Sequence, residues 1–236
     1  MPLYQVLENE LTHALALKRR PVAVMFRDAP PDGVKRAGDP APSGCTFWRR
    51  AQSGQTFYTV PEDHYNCPVG SYTHNIALPA ERASELPDTL GLMTQLGYLK
   101  MEEVPGIPVL PQTPKTITYS PLGAAPADPD VILVAATPGK LMLLEEAALR
   151  AGAAAKLSLL ARPTCMAIPA AMAHGVVTSA GCIGNRVYTE IGEDELYAAI
   201  PARDLERVCD ELRTIVSANA ALEQHHRARK AAIGQA

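Results

Sequence analysis

The sequence predicts an α/β (or α+β) fold, a single compact domain with a mixed sheet and flanking helices. Three observations predict it. Short runs rich in β-branched residues recur between proline and glycine punctuation. Segments with apolar residues at helical spacing fall between them. No linker or shift in composition divides the 236 residues, a length that suits one well-cored domain. That domain is placed over residues 1–220, with a polar tail at 221–236.

The elements follow in order. Tyr4, Leu7, Leu11 and Leu15 predict an amphipathic helix over residues 3–17. Pro21 opens a strand, PVAVMF, and residues 28–44 hold four prolines and three glycines without any period, so they read as loop. CTFWRRAQ reads as a short helix stopped at Gly54, TFYTV as a strand, and residues 80–96 as a broken helical stretch. Eight prolines from Pro105 to Pro138 confine regular structure there to short strands, KTITY and VILVAA. Thr137 and Pro138 are good N-cap and first-turn residues for a helix ending near Arg150. CMAIPAAMAH reads as a helix stopped at Gly175, while LSLLA, HGVVTS and ELYAAI supply further strands. The last helix is expected over 202–219, with a frayed polar tail from Gln224.

Composition narrows the function classes. With 22 basic and 25 acidic residues the net charge is −3 and the pI is about 6.1. Nothing in that balance favours nucleic acid or an anionic membrane as a partner. The amino terminus lacks the basic and apolar regions of a secretory signal. The longest clean aliphatic run, Val131 to Ala136, falls far short of a bilayer span. A cytoplasmic protein is expected, with its five cysteines reduced.

Local context sorts those cysteines. Cys209 lies in the stripe Leu205, Val208, Cys209, Leu212, Ile215 and Val216, where a thiol packs as a small hydrophobe. Cys45 and Cys165 open helical segments, where free amides and the helix dipole favour a thiolate. Cys67, before Pro68 and Gly70, and Cys182, between Gly181 and Gly184, occupy turns where backbone amides can approach a ligand. The spacing also echoes. Cys45 leads through helix and strand to Cys67, and Cys165 does the same to Cys182. Two such units could enclose a four-thiolate site, although similar elements also recur by coincidence. No CxxC pair is present, so any such site must be assembled by tertiary structure.

At these residues the sequence resembles a known family. KRRPVAVMF, SGCTFWRR with GQTFYTVPEDHYNCPVG, and SAGCIGNRVYTEIGEDELYAAIP, in that order, look like the DUF169 family of bacterial and archaeal proteins. The resemblance runs from about Leu7 to Leu212. It is most specific at His64, Cys67, Pro68 and Gly70 and at Ser179, Gly181, Cys182, Gly184 and Arg186. It implies that Cys45, Cys67, Cys165 and Cys182 fall at the family's recurrent cysteine positions, while Cys209 does not. Where the family often carries a further cysteine after the Gly-Cys pair, this chain has Asn185.

Four soft thiolates suit an iron–sulfur cluster, [4Fe–4S] before [2Fe–2S], or zinc. The cluster is the expected cofactor and zinc the runner-up, because structural zinc usually uses close-spaced ligand pairs. His64 and Arg186 are candidates for groups that tune the cluster or meet a substrate. The alternatives are a capped loop histidine and a surface ion pair. Haem is disfavoured, since CxxCH is absent. His174 reads as a helix C-terminal residue.

Two rival readings stay open. One is a cysteine-nucleophile enzyme, with Cys165 or Cys182 activated by His64 or His174. The other is a zinc-stabilised small-ligand-binding module, with Thr137-Pro-Gly-Lys140 presenting amides to an anion, although an ordinary helix start explains that segment more economically. Glu62/Asp63 and Glu145/Glu146 read as solvated acidic faces. The expected role is redox, sensing or enzymatic, with a small-molecule substrate or redox partner; homo-oligomerisation is left open.

Overall fold

The computed structural model of the protein describes residues 2–160 and 162–233. The chain runs through α1 (Leu3–Leu15), β1 (Val22–Arg27), α2 (Cys45–Gln52), β2 (Phe57–Thr59), α3 (Pro68–Thr73) and α4 (Glu85–Gln95). It continues through β3 (Thr116–Pro121), β4 (Val131–Ala136), α5 (Pro138–Arg150), β5 (Ala154–Leu160), α6 (Ala167–His174), β6 (Val176–Ser179), α7 (Ile183–Thr189), β7 (Leu196–Pro201) and α8 (Leu205–Ile233). The α/β class, with a mixed sheet and flanking helices, is therefore observed.

The seven strands form one sheet in the order β2-β3-β1-β4-β7-β6-β5. Every pairing is antiparallel except β5 with β6. Strand alternation then divides the interior in two. Val22, Val24, Tyr119, Leu133, Ala135, Tyr197 and Ala199 face α2 and α6. Ala23, Met25, Ile132, Val134, Ala198 and Ile200 face α1, α5 and α8. β4 is buried along its whole length, as a central strand covered on both faces must be.

The α1/α5/α8 layer is a plain apolar core. Leu7, Leu11 and Leu15 form the buried stripe of α1, meeting Leu141 and Leu144 of α5 and Leu205, Val208 and Leu212 of α8. Cys209 is fully buried among them, far from any polar role. The Thr137–Lys140 segment opens α5 in this layer, on the sheet face away from α2. At Gly175 the chain turns from α6 into β6 with a positive φ of 105°. A Cβ there would stand 2.1 Å from the Ala153 carbonyl oxygen. Only glycine fits that crossing.

Four local expectations are corrected. The turns holding Cys67 and Cys182 are the N-caps of short helices, α3 and α7. Pro68 at the first helical position pre-sets the backbone of α3. Cys165 sits in a 3-10 turn, Thr164–Met166, and the α-helix proper begins at Ala167. The LSLLA strand is the end of the longer β5, with Ala161 outside the described residues. The last helix does not end near residue 219 but runs to Ile233, because Ala218 to Ile233 contains neither glycine nor proline and is rich in helix formers. The final three residues of the expected tail, 234–236, lie outside the described residues.

Among the described residues no helix is long and apolar enough to cross a membrane. Trp48 on α2 is 1% exposed and meets Tyr197 edge-on at 5.3 Å. Trp48→Ala should therefore cost about 3–5 kcal/mol, whereas Cys209→Ala should cost only about 1 kcal/mol. Urea unfolding followed by circular dichroism measures both.

Candidate functional site

The four cysteines at element ends are brought to one place. Cys45, Cys67, Cys165 and Cys182 all line a single cavity of about 370 Å³ on the α2/α6 side of the sheet. Its outer wall is apolar, formed by Leu90 and Met93 of α4 together with Leu99 and Ile107. All five cysteines of the chain are free thiols.

Each thiol is set by a different local device. Cys45 is the first residue of α2, whose next residues but one, Phe47 and Trp48, are buried in the core. The Ser43 hydroxyl and the Cys45 sulfur are hydrogen-bonded at 3.1 Å. Cys67 is fixed at both ends, its N–H donating to the His64 carbonyl (3.0 Å) and its own carbonyl accepting from Ser71 N–H (2.7 Å). Its sulfur lies over Gly70, just 2.7 Å from where a Cβ would be. The N–H groups of Gly44 and Gly70 donate to that sulfur.

The second pair is clamped together. The Thr164 hydroxyl oxygen, beside Cys165, accepts a 2.6 Å hydrogen bond from the Cys182 backbone N–H. Thr73 of α3 supplies a hydroxyl contact to the Cys165 sulfur. The Cys182 sulfur accepts from the Asn185 backbone N–H at 3.5 Å. Among the described residues, no group of three or more His, Cys, Asp or Glu side chains is placed so that it could hold a metal ion. The thiols face a space.

Burial sets their protonation. It pushes the Cys45 thiol up to about 11, opposed by the Ser43 hydrogen bond and reinforced by the neighbouring Cys67 and Cys182. It also raises Cys67, against the pull of the two glycine amides. Cys165 is driven well above the ordinary thiol value, first by burial and then by Cys67. An isolated thiolate is expensive in such surroundings. These three sulfurs are protonated at neutral pH unless a cation takes the proton's place.

The remaining candidates fall outside the cavity lining. His64 is buried behind α2, its Nε2 hydrogen-bonded to the Thr59 hydroxyl at 2.9 Å. Thr59 donates its own proton to the Ile117 carbonyl (3.2 Å), so Nε2 is the donor and Nδ1 bears the lone pair. Burial, helped by the stacked His74 ring 5.8 Å away, lowers His64 to about 3. The imidazole is neutral. Arg186 donates to the carbonyls of Gly192 (2.7 Å), Ala180 (2.6 Å) and Glu195 (3.3 Å), stapling the chain on both sides of Cys182. His174 is exposed at the far end of α6, roughly 12 Å along the helix from the Cys165 turn.

Glu62 and Glu146 are exposed, as expected of solvated faces, while the other member of each pair is engaged. Asp63 pairs with Arg36 and caps the turn at Val60. Glu145 is half-buried against the Thr178 hydroxyl, and burial raises it. Residues that sequence reasoning passed over are Thr164, Thr73 and the Asn185 side chain. The adjacency of Thr164 to Cys165 and the family cysteine position that Asn185 occupies were the signals in the sequence, whereas Thr73 comes from a distant segment.

A fold of this topology carrying four thiols around one cavity defines an α/β protein with a cysteine-lined centre. A family profile described as "Uncharacterised ArCR", DUF169, matches residues 10–211. The chain belongs to the DUF169 family. No curated protein and no solved structure matches it.

Two outcomes test this geometry. Gly70 has ordinary helical backbone, so Gly70→Ala should fold with unchanged circular dichroism yet displace the Cys67 sulfur. Mass-spectrometric mapping of alkylation should show a changed rate at Cys67 alone. In the metal-free protein, alkylation of Cys45 should climb about tenfold per pH unit past pH 9 and level off only near 11. The unfolded chain gives up thiol protons near pH 9 that the fold retains. Stability should therefore fall as pH rises from 9 towards 11, read by urea midpoints across that range.

Proposed function

We propose that the protein binds an iron–sulfur cluster, of the [4Fe–4S] type, through Cys45, Cys67, Cys165 and Cys182. The observation that carries this reading is the convergence of four thiols from four separate segments on one cavity. The donor set fits. Thiolate is the ligand type these clusters use, and amide and hydroxyl donors on the sulfurs are the protein's means of stabilising their charge. Zinc bonded to sulfur at about 2.3 Å would need the four sulfurs within about 4 Å of each other. Thiols that line a space suit a larger group better.

A bound cluster supplies one-electron chemistry, and the role follows from that as electron transfer, redox sensing or part of an enzyme. The chain contributes the rest. Burial makes ligation the way to discharge three thiol protons, so uptake improves as pH rises. Leu90, Met93, Leu99 and Ile107 limit water at the outer wall. A reducing compartment, the cytoplasm, suits five free thiols. The nucleophile reading is less well supported, since burial raises Cys165 rather than activating it, and neither His64 nor His174 lines the cavity.

Anaerobic purification or reconstitution is the test. The expected protein is brown, with absorbance near 400 nm and stoichiometric iron and sulfide. Ala at any of the four cysteines should abolish this, while Cys209→Ala should retain it. Colourless protein without iron after reconstitution would overturn the cluster reading, and stoichiometric zinc without sulfide would replace it with a zinc site.

A further inference from the structure

Asn185 stands out among the polar groups of the cavity. It is 1% exposed and lines the cavity together with Cys45 and Cys182. Its backbone is fully occupied. The N–H meets the Cys182 sulfur, and the carbonyl accepts the Thr189 hydroxyl at 2.8 Å. The carboxamide is not. Neither Nδ2 nor Oδ1 makes a hydrogen bond of good geometry with the described residues. A buried amide left in this state is costly, and natural proteins rarely leave one without a purpose.

Its surroundings supply the purpose. α7, which carries Asn185, packs against α2, which begins at Cys45. Asn185 and Cys45 line the same cavity, and the carboxamide is buried there without a partner. A thiol is a weak acceptor, but a thiolate or a metal-bound sulfur accepts an N–H strongly. The amide's partner therefore comes into being when a metal-bound sulfur forms in the cavity.

We propose that Asn185 is a positioning residue of this centre, donating an Nδ2–H···S hydrogen bond to the Cys45 sulfur when that sulfur is a metal ligand. This rests on the cluster reading given above. The bond draws electron density from one ligand sulfur and stabilises the reduced, more negative state of the centre. It links two sulfurs through one residue, the backbone serving Cys182 and the side chain serving Cys45. Asn185 thus ties a ligand from each half of the chain.

The test compares wild type with Asn185→Leu and Asn185→Asp after anaerobic reconstitution. Iron and sulfide content and the midpoint potential are measured. Asn185→Leu should bind the centre at a more negative potential, and Asn185→Asp should lower it further, because a carboxylate repels the sulfur's charge. Normal cluster content with wild-type potential would overturn the role of Asn185 while leaving the cluster reading intact. If wild type takes up no iron or sulfide, the cluster reading fails. The Asn185 role, which needs a bound centre, is overturned with it. Should Asn185→Leu fail to fold, the Asp variant, which keeps size and polarity, carries the comparison.

Discussion

The site depends on how α2 packs on the sheet. Phe47 stacks on Tyr119 at 5.6 Å and Trp48 meets Tyr197 edge-on at 5.3 Å. These aromatic contacts join β3 and β7, strands on opposite sides of the sheet's centre, through one short helix. An eight-residue helix has little stability of its own. Its place is set by those two side chains, and Cys45 at its first turn is placed with it. The segment before it brings Gly44, whose N–H reaches the Cys67 sulfur. Two thiols are thereby referred to one packing contact.

The two faces of the sheet divide their tasks. The α1/α5/α8 face buries aliphatic side chains and the inert Cys209. The α2/α6 face holds His64 Nδ1, His74 Nε2, Tyr119 Oη, Tyr197 Oη and the Asn185 carboxamide, and the opposite face holds Thr118 Oγ1 and Ser120 Oγ, all buried without hydrogen-bond partners among the described residues. Such atoms cost stability, which the apolar burial on both faces offsets. The same low-dielectric surroundings keep the thiols protonated when no metal is bound. One face stabilises the fold, and the other carries the chemistry.

Much of this was legible from local pattern. The α1 stripe, the strands at Val22, Thr116 and Val131, the start of α5 at Pro138 and the burial of Cys209 follow from periodicity and punctuation, because each is decided by neighbours within a few residues. α3 and α7 were not legible as helices. Their six and seven residues are too short for a periodic signal, and α7 contains Gly184 and Asn185, both poor helix formers. It stands because Arg186 holds the surrounding carbonyls. That bond set closes a loop from Ala180 to Glu195 and leaves no trace in spacing.

The sequence by itself determined the class of fold and sorted five cysteines into one on an apolar stripe and four at element ends, because both depend on local chemistry. The family membership was visible in the same motifs. Tertiary structure alone decided that the four thiols share a cavity, that Thr164 ties Cys182 to the Cys165 turn, and that Arg186 serves the backbone instead of a ligand. It also buried the Asn185 carboxamide in that cavity without a partner. The reason is range. Cys45 and Cys182 lie at opposite ends of the folded core in sequence, and only the closing of one sheet by β7 beside β4 brings α7 against α2.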